Sequence, residues 1–302
     1  MKKLTLDSFL EKAKKNPGRV VVPCADNHEA LEAIELATKD KIVSGGTLIG
    51  VKSRIEAVAK SVNLDLSIFK IVECEDAMEC AKLAVKLITT GEGDFLVKGQ
   101  IDTKVYMKAI LDKEAGLVPP GNALSHIAVM EIPTYHKLLV TADAAIFIEP
   151  NVDEKVKIVQ NSVDFCHKLG IEKPKVAMVA AVEKVNPKMV STVQAQEVVE
   201  KAKSGAITGA IVEGPYDVYI ATSKEAAEIK GAKGEVCGDA DILMFHDINA
   251  ANAAYKLMST FVPGIRCASL IAGAKIPIVL PSRADATETK RMSLVLAAAL
   301  KK

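Results

Sequence analysis

Apolar and polar positions along this chain recur with two periods, one typical of helices and the other of buried strands. Short apolar, β-branched runs at residues 19–23 and 94–97 indicate strands, whereas residues 76–90 place Cys80, Ala84 and Leu87 on one face of a helix. Such segments follow one another over most of the 302 residues. This order is typical of an α/β protein with a largely parallel sheet.

Two regions interrupt the regular order. Pro119-Pro120-Gly121 can continue neither a helix nor a central strand, so we place a domain boundary after residue 123. Three short apolar segments then follow at residues 127–132, 137–141 and 144–148, too closely spaced for helices between them. At least part of this region is therefore predicted to be an antiparallel hairpin.

Composition excludes several classes of protein. The net charge is only +1, which argues against a broad nucleic-acid surface, and no apolar run approaches the ~18 residues of a membrane span. The six cysteines form no C-x-x-C pair and no zinc spacing. We therefore expect no metal site, no signal peptide and a cytoplasmic location.

Polar residues and glycines follow several of the predicted strands. Because the carboxyl ends of parallel strands share one sheet edge, these groups are expected to converge on a crevice that binds a ligand. The lysines and glycines suit a phosphate group, although neither G-x-G-x-x-G nor a P-loop occurs. The candidates that follow strands are Lys98, Gly99, Gln100, Thr103, Gly214, Pro215, Asn252 and Lys256.

The last predicted strand ends in Ser282-Arg283-Ala284-Asp285, and a helix is predicted over residues 286–300. Arg283 can hold a phosphate by a bidentate, charge-assisted hydrogen bond. Ser282 supplies a hydroxyl and Asp285 a possible base. Ser125 and His126, just after the Pro-Gly break, are further candidates, although a structural role for His126 is equally compatible with the sequence.

Taken together, these segments resemble the phosphate acetyl/butyryl transferase family. The resemblance covers nearly the whole chain and rests on ordered local matches. They include Lys98-Gly99, Leu124-Ser125-His126, Asn186-Pro187-Lys188-Met189, Glu213-Gly214-Pro215, Asn252 with Tyr255-Lys256, and Ser282-Arg283-Ala284-Asp285 with Glu288-Thr289-Lys290.

The resemblance implies two α/β domains with an interdomain cleft, similar to the isocitrate/isopropylmalate dehydrogenase-like fold. The final segment would return to the first domain, giving residues 1–123 with 264–302 and residues 124–263. It also implies the reaction of a short-chain acyl-CoA, butyryl-CoA above all, with phosphate to give acyl phosphate and CoA. Coenzyme A would be a substrate rather than a permanent cofactor, the transfer would be direct within a ternary complex, and the enzyme would be a homo-oligomer.

One departure from the family pattern bears on the base. Acetyl-specific relatives resemble Ser-Arg-Gly with a carboxylate seven residues after the serine, and this position is Thr289 here. Asp285, then His126, then Glu288 are the substitutes. Phosphate acetyltransferase is the nearest alternative function. A dehydrogenase that uses NAD and a metal through Asp239, Asp241 and Asp247, and a non-catalytic binding module, are more distant ones.

Overall fold

The computed structural model describes residues 4–282 and 284–301, and their architecture is α/β around a large sheet. The helices are α1 (Leu6–Lys15), α2 (His28–Lys39), α3 (Lys52–Ser61), α4 (Ala77–Thr89), α5 (Thr103–Ile110), α6 (Val152–Leu169), α7 (Val190–Lys203), α8 (Val218–Thr222), α9 (Lys224–Ile229), α10 (Ile248–Phe261) and α11 (Thr287–Leu300). The strands are β1 (Gly18–Pro23), β2 (Val43–Gly50), β3 (Phe69–Glu73), β4 (Phe95–Val97), β5 (Ser125–Glu131), β6 (Leu139–Ala142), β7 (Lys175–Val179), β8 (Ile211–Tyr216), β9 (Ile242–Met244), β10 (Arg266–Ala272) and β11 (Ile278–Val279).

The chain divides into two compact units. The flanking unit comprises Thr5–Asn122 and the segment from Ala268 onward, and the central unit comprises Ala123–Cys267 together with Leu4. No helix within residues 4–282 and 284–301 combines the length and apolarity needed to cross a membrane.

In the flanking unit the strand order is β3-β2-β1-β4-β11-β10. Every neighbouring pair from β3 to β11 is parallel, and β10 lies antiparallel to β11. The apolar β-branched sequence of β1 explains its central position, because Val20, Val21 and Val22 are completely buried. Helix α11 packs against α1 and α2.

In the central unit the strand order is β5-β6-β9-β7-β8. Strands β5 and β6 are antiparallel, which confirms the predicted hairpin, and the remaining neighbours are parallel. The third apolar segment, residues 144–148, is not a strand. The Asp143 carboxylate accepts the N–H groups of Ala145 and Ile146, both at 2.9 Å, and this Asx-type turn ends the extended conformation.

Gly214 and Pro215 were predicted to follow a strand, and this placement was wrong. Strand β8 runs from Ile211 to Tyr216, so Gly214 and Pro215 lie inside it instead of following it. A proline usually ends a central strand because it lacks an N–H donor, but β8 is the last strand of this order, where an edge strand tolerates a proline.

Three elements were missed from the sequence: α1, α8 and β10. Helix α1 carries three lysines and buries only Leu6, Phe9 and Ala13, so its apolar stripe is narrow. Strand β10 includes the small residues Cys267, Ala268 and Ser269, which give a weaker strand signal than a β-branched run.

Candidate functional site

The carboxyl ends of β4 and β11 lie side by side in the flanking unit. The two strands pair in parallel with Leu96 opposite Ile278, and the Lys98 N–H donates to the Val279 carbonyl at 3.1 Å. The chain leaves both strands at the same sheet edge. The prediction that these two strand ends meet is therefore confirmed.

An open pocket of about 150 Å³ lies at this edge. Its lining includes Asn27, Lys98, Gly99, Gln100, Ser282 and Lys290. Four of these six residues, Lys98, Gly99, Gln100 and Ser282, are sequence-predicted site residues. The pocket brings together two lysines, a serine and the start of α2, which is a combination suited to a small anion.

Backbone contacts hold the loop after β4 in place. The Gln100 N–H donates to the Cys24 carbonyl at 2.7 Å, and a Cβ on Gly99 would lie only 2.2 Å from that same oxygen. A glycine is required here because no side chain fits between the two backbone segments. Asn27 caps α2 by accepting the Ala30 N–H, and its amide donates to Gln100 Oε1 at 2.7 Å.

Ser282 and Asp285 form a closed turn just after β11. The Asp285 carboxylate accepts the Ser282 N–H at 2.8 Å, and the Asp285 N–H donates to the Ser282 carbonyl at 3.2 Å. One carboxylate oxygen of Asp285 therefore orients the serine. Arg283, between them, lies outside the described residues.

Glu288, the third predicted substitute for the base, is already engaged in an ion pair. Its two carboxylate oxygens lie 2.9 and 3.0 Å from Nη1 of Arg291, whose guanidinium also pairs with Asp40. Both carboxylate oxygens therefore face the guanidinium of Arg291. This arrangement does not favour Glu288 as a base.

Lys290 is a pocket residue that sequence reasoning did not select. It lies in the first turns of α11, is only 6% exposed, and contributes to the pocket wall. A signal was present, because Lys290 occupies the same helical stripe as the buried residues Leu294 and Ala297. Lysine is rarely buried unless its charge is paired or binds a ligand, so a lysine within an apolar stripe is a candidate for such a role.

Thr103 opens α5 and is exposed, and the preceding Asp102 both caps that helix and reaches the pocket lining. The pocket lining ends at Asp102, and Thr103 does not contribute to it. The structure therefore does not bring Thr103 together with Lys98 and Ser282.

In the central unit, Ser125 and His126 are buried. The Ser125 hydroxyl accepts a hydrogen bond from the Asn161 amide at 3.1 Å, and the His126 N–H donates to Asp143 at 3.0 Å. The His126 ring packs edge-on against Tyr255, and burial lowers the pKa of His126 to about 4. Its imidazole is therefore neutral at neutral pH.

The Asp143 carboxylate organises the turn that follows β6. Burial raises the pKa of the Asp143 carboxyl and is the larger effect. The backbone N–H groups of His126, Ala145 and Ile146 donate to the carboxylate and lower its pKa, because they stabilise the charged form. The Asn252 amide donates to the Ala144 carbonyl at 2.9 Å and thereby ties α10 to the same turn.

The remaining central-unit candidates lie on two elements. Gly214 and Pro215 are in β8, and a Cβ on Gly214 would lie 2.7 Å from the Met178 carbonyl. Lys256 is exposed on α10, one turn after Asn252. Among the described residues, no contact is seen between Gly214 or Pro215 of β8 and Asn252 or Lys256 of α10.

The aspartates that a metal-dependent dehydrogenase would need are bound to other groups. Asp239 lies 2.6 Å from Lys175 and 2.9 Å from Lys137. Desolvation raises the pKa of the Asp239 carboxyl, but the contacts with the lysines outweigh it and hold this pKa well below the usual range. Asp241 pairs with Lys137 at 2.8 Å, and Asp247 caps α10. Over the described residues, no cluster of His, Cys, Asp and Glu could hold a metal ion.

The described residues form an α/β protein with a lysine-lined pocket at the carboxyl edge of its parallel strands. The family model for Phosphate acetyl/butaryl transferase matches residues 76–298. The chain is 39% identical over 293 residues to the phosphate butyryltransferase of Clostridium beijerinckii, covering 97% of this chain and 96% of that protein. The protein belongs to the phosphate acetyl/butyryl transferase family.

Two further relatives describe the breadth of this family. The phosphate acetyltransferase of Thermotoga maritima is 36% identical over 293 residues, covering 97% of this chain and 98% of the relative. The crystal structure of a branched-chain phosphotransacylase from Enterococcus faecalis V583 superimposes with a TM-score of 0.81 at 33% identity, covering 93% of this chain and 98% of that one.

Proposed function

We propose that the protein is a phosphate acyltransferase that interconverts a short-chain acyl-CoA and phosphate with acyl phosphate and CoA, and that butyryl-CoA is its preferred acyl donor. The pocket formed by Lys98, Gly99 and Ser282 at the edge of β4 and β11 is the observation that carries this proposal. Relatives named as phosphate butyryltransferase and branched-chain phosphotransacylase support the acyl class.

In the acyl phosphate-forming direction, a phosphate oxygen attacks the thioester carbonyl and the CoA thiolate leaves. Lys98 and the predicted ligand Arg283 would hold the phosphate by charge-assisted hydrogen bonds. The Ser282 hydroxyl would donate to the developing oxyanion, and one such donor is worth roughly 3–4 kcal/mol in other acyl-transfer sites. Two substrates bound together can react directly, so no covalent acyl-enzyme is needed.

A base matters mainly in the reverse direction, where the CoA thiol must become a thiolate before it attacks the acyl phosphate. Asp285 remains our first candidate because its carboxylate lies in the same turn as Ser282. One carboxylate oxygen of Asp285 accepts the backbone N–H of Ser282. His126 is second, since its neutral imidazole could accept a proton, although burial makes it a weak base.

The central-unit candidates Gly214, Pro215, Asn252 and Lys256 are proposed to contact coenzyme A. Several expectations stay predictions: two domains with a cleft, as in the isocitrate/isopropylmalate dehydrogenase-like fold, a homo-oligomeric state and a cytoplasmic location. The phosphate- and CoA-binding roles of Thr103 and Ser125 also stay predictions. For Ser125, burial and its bond to Asn161 support a structural role instead.

The deciding experiment measures CoA release from acetyl-, propionyl-, butyryl-, isobutyryl- and valeryl-CoA, with and without phosphate. We expect release that requires phosphate and is fastest with a four-carbon acyl group. A maximum at acetyl-CoA would instead assign the acetyltransferase alternative. Absence of phosphate-dependent release from every thioester would overturn the proposal, and CoA binding without turnover would then indicate a binding module.

A further inference from the structure

Lys290 is a buried lysine on the wall of the pocket at the edge of β4 and β11. It follows Ala286, the residue that precedes α11, by one helical turn, and its N–H donates to the Ala286 carbonyl at 3.2 Å. Side chains on a helix point back toward its amino end. The Lys290 side chain accordingly extends toward the start of α11, where Pro281 and Ser282 also line the pocket.

The start of α11 is favourable for a negative charge. The first turn of a helix presents backbone N–H groups and the positive end of the helix dipole. Ala286 has no side chain that could cap these N–H groups, in contrast to Asn27 at the start of α2. Lys98 lines the same pocket from the loop after β4, so positive charge comes from two separate elements.

The size of the pocket indicates which anion it takes. Its volume of about 150 Å³ is well below the ~300–1,000 Å³ of sites that enclose drug-sized ligands. A single phosphate group fits this space better than the pyrophosphate and nucleotide of coenzyme A. Lys98 and Lys290 bring two positive charges to a lining that also contains the carboxylates of Glu29 and Asp102, and a phosphate monoester carries a charge of about −1.5 to −2 near pH 7.

We propose that Lys290 is a phosphate-binding residue that, together with Lys98, holds inorganic phosphate and the phosphoryl end of the acyl phosphate. This inference rests on the proposed function and adds to it a residue and an assignment of substrate. Coenzyme A would be bound elsewhere, so the loss of Lys290 affects one substrate and spares the other. Asp102 also lines the pocket, and one of its carboxylate oxygens accepts the Lys104 N–H at the start of α5.

The chain offers a matched control just beyond the other end of α11. Lys301 follows α11 at its other end, and its side chain is 9% exposed with the ammonium donating to the Pro17 carbonyl at 2.6 Å. Eleven residues separate the two lysines, which corresponds to about 16 Å along a helix. Replacing either lysine removes a buried ammonium, but only Lys290 lines the pocket.

The experiment compares Lys290→Met, Lys290→Gln, Lys290→Arg and Lys301→Met in steady-state kinetics with phosphate and butyryl-CoA varied separately. We expect both neutral Lys290 variants to raise the KM for phosphate at least tenfold and to leave the KM for butyryl-CoA within twofold of wild type. Lys290→Arg keeps the positive charge in a different shape, so its phosphate KM should lie between those of the neutral variants and the wild type, at least threefold above wild type. Lys301→Met should match wild type in both constants. An unchanged phosphate KM in a folded neutral variant would overturn the inference.

A second readout is independent of turnover. Inorganic phosphate should raise the melting temperature of the wild-type protein and of Lys301→Met, and this shift should be lost in Lys290→Met. A shift retained in Lys290→Met would refute phosphate binding by Lys290. A phosphate-induced shift in a wild-type protein that nevertheless lacks phosphate-dependent CoA release would support the phosphate site while overturning the proposed function.

If neither neutral variant folds, the phosphate KM of Lys290→Arg decides the question. A ligand whose ammonium contacts phosphate is sensitive to the different shape of a guanidinium, and we then expect at least a threefold increase. Wild-type values in Lys290→Arg would assign Lys290 a purely structural charge and overturn the inference.

Discussion

The pocket of the flanking unit and the His126 region of the central unit contain the same kinds of residue in opposite environments. Around the pocket, backbone contacts of Gly99 and Gln100 fix the loop and the side chains of Lys98 and Ser282 face an open space. Around His126, hydrogen bonds within the protein fix the positions of the polar side chains. The Asp143 carboxylate accepts three backbone N–H groups, and the Asn161 amide donates to the Ser125 hydroxyl.

This difference separates side chains that meet a substrate from side chains that maintain a shape. A polar side chain that faces an open pocket can be reached by a ligand, whereas most buried polar groups are hydrogen-bonded within the protein. Substitutions of the pocket side chains Lys98 and Ser282 should therefore change catalysis with little effect on stability. Substitutions in the second should do the reverse.

The largest effect is expected for Ser282→Ala. Removing an oxyanion donor lowers kcat by about 10²–10³-fold in comparable acyl-transfer sites. Stability should change little because Ser282 is exposed and its N–H still donates to Asp285. Steady-state kinetics and a melting curve test both parts. Wild-type kcat in this variant would remove Ser282 from the proposed mechanism.

The second effect concerns His126 and the dependence of stability on pH. The pKa of His126 is lowered from 6.5 to about 4 by burial, so the unfolded chain takes up a proton first as the pH falls. The stabilisation is complete above pH 6.5 and is lost progressively toward pH 4. Its full size is about 3 kcal/mol, since each pKa unit corresponds to ~1.4 kcal/mol.

Chemical denaturation of the wild type and His126→Gln at pH 7 and at pH 4.5 measures this contribution. The wild type should lose more of its free energy of unfolding than the variant over this interval. Equal losses in the two proteins would show that His126 is not the group that titrates.

The third effect tests how tightly the pocket loop is built. In Gly99→Ala the new Cβ would lie 2.2 Å from the Cys24 carbonyl oxygen, so the loop after β4 must move. We expect a loss of about 1–3 kcal/mol of stability, which is typical of overpacked sites, together with reduced activity as Lys98 shifts. Unchanged stability and kinetics would mean that the loop position is not essential.

The smallest effect is expected for Asn252→Ala in the central unit. The variant loses one hydrogen bond to the Ala144 carbonyl, at a cost of about 1 kcal/mol. If Asn252 also contacts coenzyme A, the KM for butyryl-CoA should rise a few-fold while the KM for phosphate stays constant. A rise in the phosphate constant alone would contradict the proposed division of substrates.

Much of the fold could be predicted because it depends on local patterns. The β-branched run that forms β1, the Asn27 cap of α2 and the apolar face of α4 are each encoded within a few consecutive residues. The site was predicted in part for the same reason, since Lys98 and Ser282 follow strands directly. Pro215 was misplaced because only the strand order reveals that β8 is an edge strand.

The sequence by itself determined the α/β class, the residues that follow each strand and, through the ordered motifs, the family. Only the tertiary structure decided which of these residues remain open to a ligand, since burial depends on segments distant in sequence. Residues 98 and 279 become neighbours through a pairing between strands some 180 positions apart, and Lys290 reaches the same pocket from α11. His126 and Ser125 carry an equally plausible motif, but packing surrounds both with atoms of the protein. There the Ser125 hydroxyl accepts from Asn161, and the backbone N–H of His126 donates to Asp143.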